Sequence, residues 1–338
     1  MKIHLYGEKK NRTPLGYAPY QRAVAGKVVF TPHPAEADFL MLGFKKDLVD
    51  LAKEILALRR QNPRLRVVIV SEEPIWDTLW SGNFLVKQQV HATAEGEIPF
   101  LYLNHINSRI FHFESLPYFP TTSDDFYPRY ASLFARNAAL SPEDILASWK
   151  QCPIPRAYYA EKRDSPGYEK HHPEAQVRAL SCFRTRLTNL DRAEGVERVG
   201  QGWANIPRRQ DRPDWHLEKL AALDCQARIV SAIENTSAPD YVTEKLFDAY
   251  AMLAIPIFHA GPGHAVHRLV DGATFLDVAN LTPEEALQKI QNFEPTLDFA
   301  TRYLETQKNL ATRFTNADNY RTERQRVAGK ILKELAAW

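Results

Sequence analysis

Short apolar runs alternate with amphipathic helical stretches at the start of the chain. The segments predicted as β-strands are KIHLYG, KVVFT, ADFLMLG and LRVVIVSEEP. Between the third and the fourth, KDLVDLAKEILALRR has the period of a helix with one apolar face. This alternation is typical of a mainly parallel sheet covered by helices. Residues 100–150 are rich in aromatic residues and proline and show no clear period.

A second series of the same kind begins near residue 153. The strands predicted there are PRAYYAEKR, GVERVGQG, ARIVSAI, IPIFHAG and TFLDV. Helices are predicted over about 173–192 and 240–253, and at PEEALQKIQNF and the tail YRTERQRVAGKILKELAAW. One face of the tail carries Val327, Ile331, Leu332 and Leu335. The pattern therefore predicts two Rossmann-like, doubly wound α/β domains.

The domain boundary is predicted in the proline-bearing SWKQCPIPR. It separates an N-terminal domain, residues 1–152, from a C-terminal domain, residues 153–315, with a helix over 316–338. Neither series contains a Gly-x-Gly-x-x-Gly fingerprint or a Walker loop, so a nucleotide would have to be bound by other means.

Composition narrows the range of partners and compartments. Lys and Arg number 43 against 41 Asp and Glu, so the charge provides no overall field for a nucleic acid. Cys152, Cys182 and Cys225 fit neither a disulfide framework nor a zinc spacing, which favours a reducing cytosol. The opening apolar run is too short for a signal peptide, and no apolar run approaches a membrane span. A soluble, cytoplasmic protein is expected.

Candidate chemistry concentrates in ENTSAPDYVTEK, residues 234–245, between a strand and the next helix. Ligands of open α/β sheets bind beyond the carboxyl ends of strands, where Asn235 offers both a donor and an acceptor. Lys245 lies at the positive end of a helix dipole, an unfavourable place unless an anion meets it. Lys245 and backbone N–H groups would suit a pyrophosphate, and Glu244 the hydroxyls of a ribose. Alternatively, Tyr241 packs, Glu244 favours the first turn, and Lys245 points to water.

Together with Ile255–Pro256–Ile257 and Gly261–Pro262, this stretch resembles the donor-site signature of the family 10 glycosyltransferases, the α1,3/α1,4-fucosyltransferases. The resemblance covers roughly residues 156–290. It implies a GT-B architecture, in which an acceptor domain and a donor domain face a cleft. It also implies inverting, metal-independent transfer of fucose from GDP-fucose to an oligosaccharide or glycolipid, including lipopolysaccharide or protein glycans. The residues that would contact the donor are Asn235, Tyr241, Glu244 and Lys245.

Without a metal, a second cation must stabilise the leaving GDP. In the family an arginine begins the helix after the first strand of the donor domain, and Arg178 in HHPEAQVRAL fits that place; Arg184 is its rival. The chain contains no Asp-x-Asp, and His264 with His267 lacks a third ligand, so neither a metal nor a cofactor is expected.

An inverting transferase needs a group that accepts the proton of the acceptor hydroxyl. Glu72 and Glu73 follow the strand LRVVIVS and precede a proline, and the family places its proposed base in a similar strand-end pattern. Adjacent residues of an extended chain point in opposite directions, so we predict Glu72 as the base and Glu73 as its control. Trp76 and Trp80 would either stack on a sugar or belong to the core.

Two other functions remain open for this sequence. One is transfer from another GDP-sugar, and the other is a catalytically silent module that binds a glycan or a nucleotide. The basic runs RRQNPRLR and RRQDR are either solvated faces or contacts with a membrane that carries an anionic glycolipid acceptor.

Overall fold

The computed structural model describes residues 1–204 and 211–338. The described chain divides into two compact units. One comprises Met1–Asp124 and Tyr320–Trp338, and the other comprises Asp125–Asn319. Each unit contains a sheet accompanied by helices, and the strands of these sheets are parallel except at one edge of the first unit. The predicted α/β fold class is therefore confirmed.

The first unit is built on a six-stranded sheet with the order β2-β1-β3-β4-β6-β5. Its strands are β1 Lys2–Leu5, β2 Val29–Phe30, β3 Phe39–Leu42, β4 Arg66–Val70, β5 Gln88–Thr93 and β6 Gly96–Leu103. All neighbours are parallel except β5, which pairs antiparallel with β6 at the edge. β3 is apolar and buried along its whole length, as expected for a central strand of a parallel sheet.

Four helices accompany this sheet, counting the last helix of the chain. They are α1 Ala18–Ala23, α2 Lys45–Asp50, α3 Ala52–Gln61 and α11 Ala317–Ala337. The predicted single helix at KDLVDLAKEILALRR is interrupted at Leu51, whose φ of −109° and ψ of 16° are not helical. On α11, Val327, Ile331 and Leu335 are buried in the core of the first unit, while Leu332 is partly buried. The tail of the chain thus completes the unit in which the chain begins.

The second unit contains a five-stranded parallel sheet with the order β10-β7-β11-β13-β14. Its strands are β7 Ile154–Tyr159, β10 Glu197–Val199, β11 Ala227–Ser231, β13 Ile255–Phe258 and β14 Leu276–Asp277. A small antiparallel sheet contains β8 His171–His172, β9 Val177–Ala179 and β12 Thr236–Ser237. The helices are α4 Phe126–Ala138, α5 Pro142–Gln151, α6 Ser181–Leu190, α7 Trp215–Leu223, α8 Glu244–Ala251, α9 Pro283–Gln291 and α10 Leu297–Phe314.

The division between the units falls earlier than the boundary predicted at residue 152. α4 and α5 belong to the second unit because their polar side chains bind its backbone. Trp149 Nε1 donates to the carbonyl oxygen of Leu253 at 2.7 Å, and Asn137 Nδ2 donates to the carbonyl oxygen of Tyr250 at 3.0 Å. Both bonds are buried, so these helices are fixed to the strand-and-helix layer that follows them in the sequence.

Two predicted helices begin later than the sequence indicates. The helix predicted from residue 173 begins at Ser181, because Gln176 adopts a left-handed conformation (φ 55°) and the next three residues form β9. Pairing of β9 with β8 and β12 gives that segment its hydrogen bonds and excludes a helix. The helix predicted from residue 240 begins at Glu244, after the capping residue Thr243.

Two further features bear on the expectations from composition. All three cysteines are free thiols. No helix in the described part of the chain is both long and apolar enough to cross a membrane.

Asp77 makes the stability of the first unit depend on pH. Burial raises the pKa of this carboxyl to about 6, and its Oδ2 has no hydrogen-bond partner among the described residues. A raised carboxyl pKa means that the folded state disfavours ionisation. Stability is therefore lost as pH rises from the unfolded pKa, near 4, to the folded one. We expect Asp77→Asn to raise the free energy of unfolding at pH 8 by about 3 kcal/mol, and to have little effect at pH 4.

Urea unfolding of both proteins at the two pH values measures this difference. Asn keeps an oxygen for the backbone N–H of Lys45, which donates to Asp77 Oδ1 at 3.1 Å. An equal change in stability at pH 4 and pH 8 would contradict the ionisation of Asp77 as the cause.

Candidate functional site

The candidate site lies where β11 gives way to the capped start of α8. Glu234 follows β11 and is buried, and its carboxylate accepts two hydrogen bonds from the capping residue Thr243. The backbone N–H of Thr243 donates to Glu234 Oε1 at 2.8 Å, and its hydroxyl donates to the same oxygen at 2.7 Å. Glu234 thereby fixes the turn to the start of the helix.

Lys245 is held in the first turn of α8 by this carboxylate. Its Nζ lies 3.0 Å from Glu234 Oε2, 2.9 Å from Thr243 Oγ1 and 3.3 Å from Glu244 Oε1. Burial raises the pKa of Glu234, and Lys245 opposes that rise. Two buried carboxylates therefore offset the cation at the positive end of the helix dipole. The alternative in which Lys245 simply points to water does not hold, because its side chain is only 18% exposed.

The other predicted donor-binding residues lie on the same connection. Glu244 is the first residue of α8 and is buried, and Tyr241 is buried just before the cap. Asn235 is half-buried, and its backbone oxygen accepts from the N–H of Leu180 at 2.9 Å. The structure thus places Asn235, Tyr241, Glu244 and Lys245 along one short connection at the carboxyl end of the sheet.

The two candidate arginines have different surroundings. Arg178 does not begin a helix, contrary to the sequence prediction; it lies on β9 opposite Ser237, and its side chain is exposed. Arg184 lies within α6, is buried, and donates from Nη1 to the carbonyl oxygen of Ile233 at 3.2 Å. Its Nε has no partner in the described part of the chain, and burial lowers its pKa to about 10. A charged and incompletely satisfied guanidinium therefore lies beside the end of β11.

A buried network that the sequence did not reveal anchors α8. Asp248 accepts from Lys219 Nζ at 2.9 Å and Tyr130 OH at 2.6 Å, and lies 2.8 Å from His216 Nε2. Burial alone would raise the pKa of Asp248, but Lys219 and His216 hold it well below its usual value. The partners come from α4 and α7, so no local motif marks them. The network positions the helix that begins with Glu244 and Lys245.

Glu72 occupies the centre of a second buried cluster, in the first unit. Its Oε1 accepts from Arg12 Nε at 2.7 Å and Tyr17 OH at 2.8 Å, and its Oε2 accepts from Tyr118 OH at 2.5 Å. Arg12 also binds Glu73 Oε1 at 2.5 Å through Nη2. Glu72 is fully buried, so it stabilises the described structure through these bonds whether or not it also serves as a base.

The two tryptophans that follow Glu72 and Glu73 differ in their exposure to solvent. Trp76 is half-buried and meets Trp80 edge-on, with ring centroids 5.2 Å apart. Trp80 is 42% exposed, so it is not a core residue. Its exposed ring keeps the sugar-stacking alternative open.

The histidine pair considered as a metal site has local partners. His264 Nδ1 accepts from the backbone N–H of Val266 at 3.1 Å, and burial lowers the pKa of His264 to about 4. His267 is exposed, and its Nε2 lies 3.1 Å from the carbonyl oxygen of Gly261. Within residues 1–204 and 211–338, no three His, Cys, Asp or Glu side chains are grouped as metal ligands would be.

The sequence of the second half of the chain matches a known family. Residues 187–335 match the family model described as glycosyltransferase family 10 (fucosyltransferase), C-terminal domain. The comparison with curated proteins gives no match. Among solved structures, an alpha1,3-fucosyltransferase is 14% identical over 91% of this chain and 80% of its own, with a TM-score of 0.46.

A second structure, of alpha1,3-fucosyltransferase with GDP-fucose, is 15% identical over 94% of this chain and 91% of its own, with a TM-score of 0.43. TM-scores of this size do not establish a common fold. The family match over residues 187–335 is therefore the similarity that bears on function.

Proposed function

We propose that the chain is a fucosyltransferase of glycosyltransferase family 10, whose model matches residues 187–335, and that it transfers fucose from GDP-fucose to a hydroxyl of an oligosaccharide or glycolipid, in α1,3 or α1,4 linkage. The donor connection, residues 234–245, is the observation that supports this most directly. It places a cation, a helix start and two carboxylates at the carboxyl end of a parallel sheet, where such folds bind ligands.

In this proposal the pyrophosphate of the donor binds Lys245 and backbone N–H groups of the first turn of α8. The pyrophosphate would compete with Glu234 for Lys245. Because the lysine is already largely buried, exchanging one anionic partner for another adds little further desolvation cost. Glu244 serves the ribose hydroxyls, with Asn235 and Tyr241 beside it. For the second cation we favour Arg184 over Arg178, because the buried guanidinium of Arg184 lacks a partner at Nε.

We further propose that transfer is inverting and independent of a metal, and that Glu72 accepts the proton of the acceptor hydroxyl. Charge that develops on the leaving diphosphate would then be stabilised by side-chain cations and the helix dipole, which gain strength as that charge grows. Among the described residues, Glu72 Oε2 accepts a hydrogen bond from Tyr118 OH alone, which leaves it lone-pair capacity. The enzyme is proposed to act in the cytoplasm.

Calorimetric titration in excess EDTA tests the donor and the metal-independence together. We expect GDP-fucose and GDP to bind, and GDP-mannose to bind at least about tenfold more weakly, because one misplaced polar group costs about that much. In the same titration Arg184→Met is expected to weaken binding by about 30-fold, and its matched control Arg178→Met to leave it within about threefold.

The outcomes separate the alternatives. Tighter binding of GDP-mannose than of GDP-fucose would mean that the donor is another GDP-sugar. Donor binding without turnover on any glycan acceptor would indicate a silent binding module. Binding only after Mg²⁺ is restored would refute metal-independence. If only Arg178→Met lost affinity for the donor, Arg178 rather than Arg184 would be the arginine that binds the phosphates.

A further inference from the structure

A cleft in the first unit gathers cations that the transfer reaction does not use. It has a volume of about 410 Å³ and includes Arg109, Lys330 and Lys333 in its lining. Lys87 also lines it but is neutralised by Glu334, whose Oε1 lies 2.7 Å from Lys87 Nζ. Nothing in the described part of the chain forms an ion pair with the other three cations. The cleft therefore carries three uncompensated positive charges.

The walls of this cleft are rigid. On one side the turn after β6 is fixed by Asn104 Oδ1, which accepts from the backbone N–H groups of Ile106 and Asn107 at 2.7 and 2.9 Å. On the other side α11 is locked to the core by its buried apolar face, which turns Lys330 and Lys333 to solvent. The three cations are consequently held around one opening rather than scattered over a flexible surface.

Exposed apolar side chains adjoin the same opening. Leu85 and Val86, immediately before Lys87, are 54% and 45% exposed. Large apolar groups beside unpaired cations suit the boundary of a bilayer, where cations meet headgroup phosphates and apolar side chains enter the acyl layer. A dissolved anion would leave Leu85 and Val86 in water, so this combination favours a lipid surface.

We propose that this cleft and the adjoining Leu85–Val86 pair form a docking site for an anionic lipid bilayer, with lipid phosphates bound among Arg109, Lys330 and Lys333. This site does not include RRQNPRLR, and the greater part of RRQDR, the other basic run indicated by the sequence, lies outside the described residues. The proposal does not rest on the proposed fucosyl transfer, because it concerns binding alone.

Vesicle co-sedimentation with the full chain tests the site. We expect binding to vesicles of equal phosphatidylcholine and phosphatidylglycerol, little binding to pure phosphatidylcholine, and loss of binding as salt is raised. The pair Lys330→Gln with Lys333→Gln should weaken binding at least about tenfold. The pair Arg60→Gln with Arg64→Gln removes the same charge from exposed positions of the first unit and should bind like the parent.

Replacing Leu85 and Val86 by serine should weaken binding while preserving its salt dependence, since only the apolar part is removed. If the lysine pair and the arginine pair lost vesicle binding equally, binding would depend on general charge attraction and the proposed site would be refuted. Absence of vesicle binding, with or without binding of inorganic phosphate, would overturn the lipid assignment. Donor titration of each variant reports on the proposed transfer site separately, so failure of one proposal is distinguishable from failure of the other.

Discussion

Replacing Lys245 by methionine is expected to weaken the binding of GDP-fucose by about 100-fold. Lys245 Nζ is the positive group that the structure fixes at the start of α8, so its charge-assisted bonds to a diphosphate cannot be replaced by a neighbour on the same turn. Binding is measured by calorimetric titration well below the unfolding temperature of the variant, with circular dichroism to verify the fold.

The affinity of Lys245→Met would also fall if Lys245 were needed only for the fold. Removing its ammonium group leaves Glu234 buried beside Glu244 without the cation that pairs with both. Lys219→Met is the matched control, since Lys219 pairs with the buried Asp248 of the same helix at 2.9 Å. Both variants should lose about 3 kcal/mol of stability. Only Lys245→Met should lose donor affinity in the folded protein; equal losses in both would show that Lys245 acts through the fold.

Glu72→Gln is expected to lower kcat by about 1,000-fold and to leave the affinity for GDP-fucose within about threefold. Glutamine keeps an oxygen for Arg12 or Tyr118 but cannot take up a proton. Steady-state kinetics with a saturating donor provides the measurement.

Glu73→Gln is the control, because Glu73 also binds Arg12 and is buried at the same strand end. It should retain turnover within about threefold. An equal rate loss in Glu73→Gln would mean that Glu72 only positions the groups that it binds, Arg12 among them. Unchanged turnover per folded molecule would remove Glu72 from the reaction.

The sequence predicts those parts of the fold that depend on local pattern. Apolar runs such as FLML and RVVIV locate central strands because burial on both faces leaves no polar alternation. The late start of α6 escaped prediction because the pairing of β9 depends on β12, nearly 60 residues further along. Helical periodicity gives no information about such a partner.

The candidate site shows the same division. Residues 234–245 could be identified because the strand end, the cap and the charged first turn are contiguous. The role of Glu234 as a cap and counter-ion could not, since it depends on how the turn folds back on Thr243. Arg12, which precedes Glu72 by 60 residues, had no recognisable signal at all.

The return of α11 to the first unit has a consequence for biosynthesis. A ribosome releases the chain from its amino end, yet the core around Ile3 and Met41 is completed by Val327 and Ile331. Until α11 emerges, that apolar surface lacks its cover and depends on other protection from aggregation. The later-encoded Asp125–Asn319 unit has no such requirement and is free to fold first. The first unit would then be completed only after the second unit has folded.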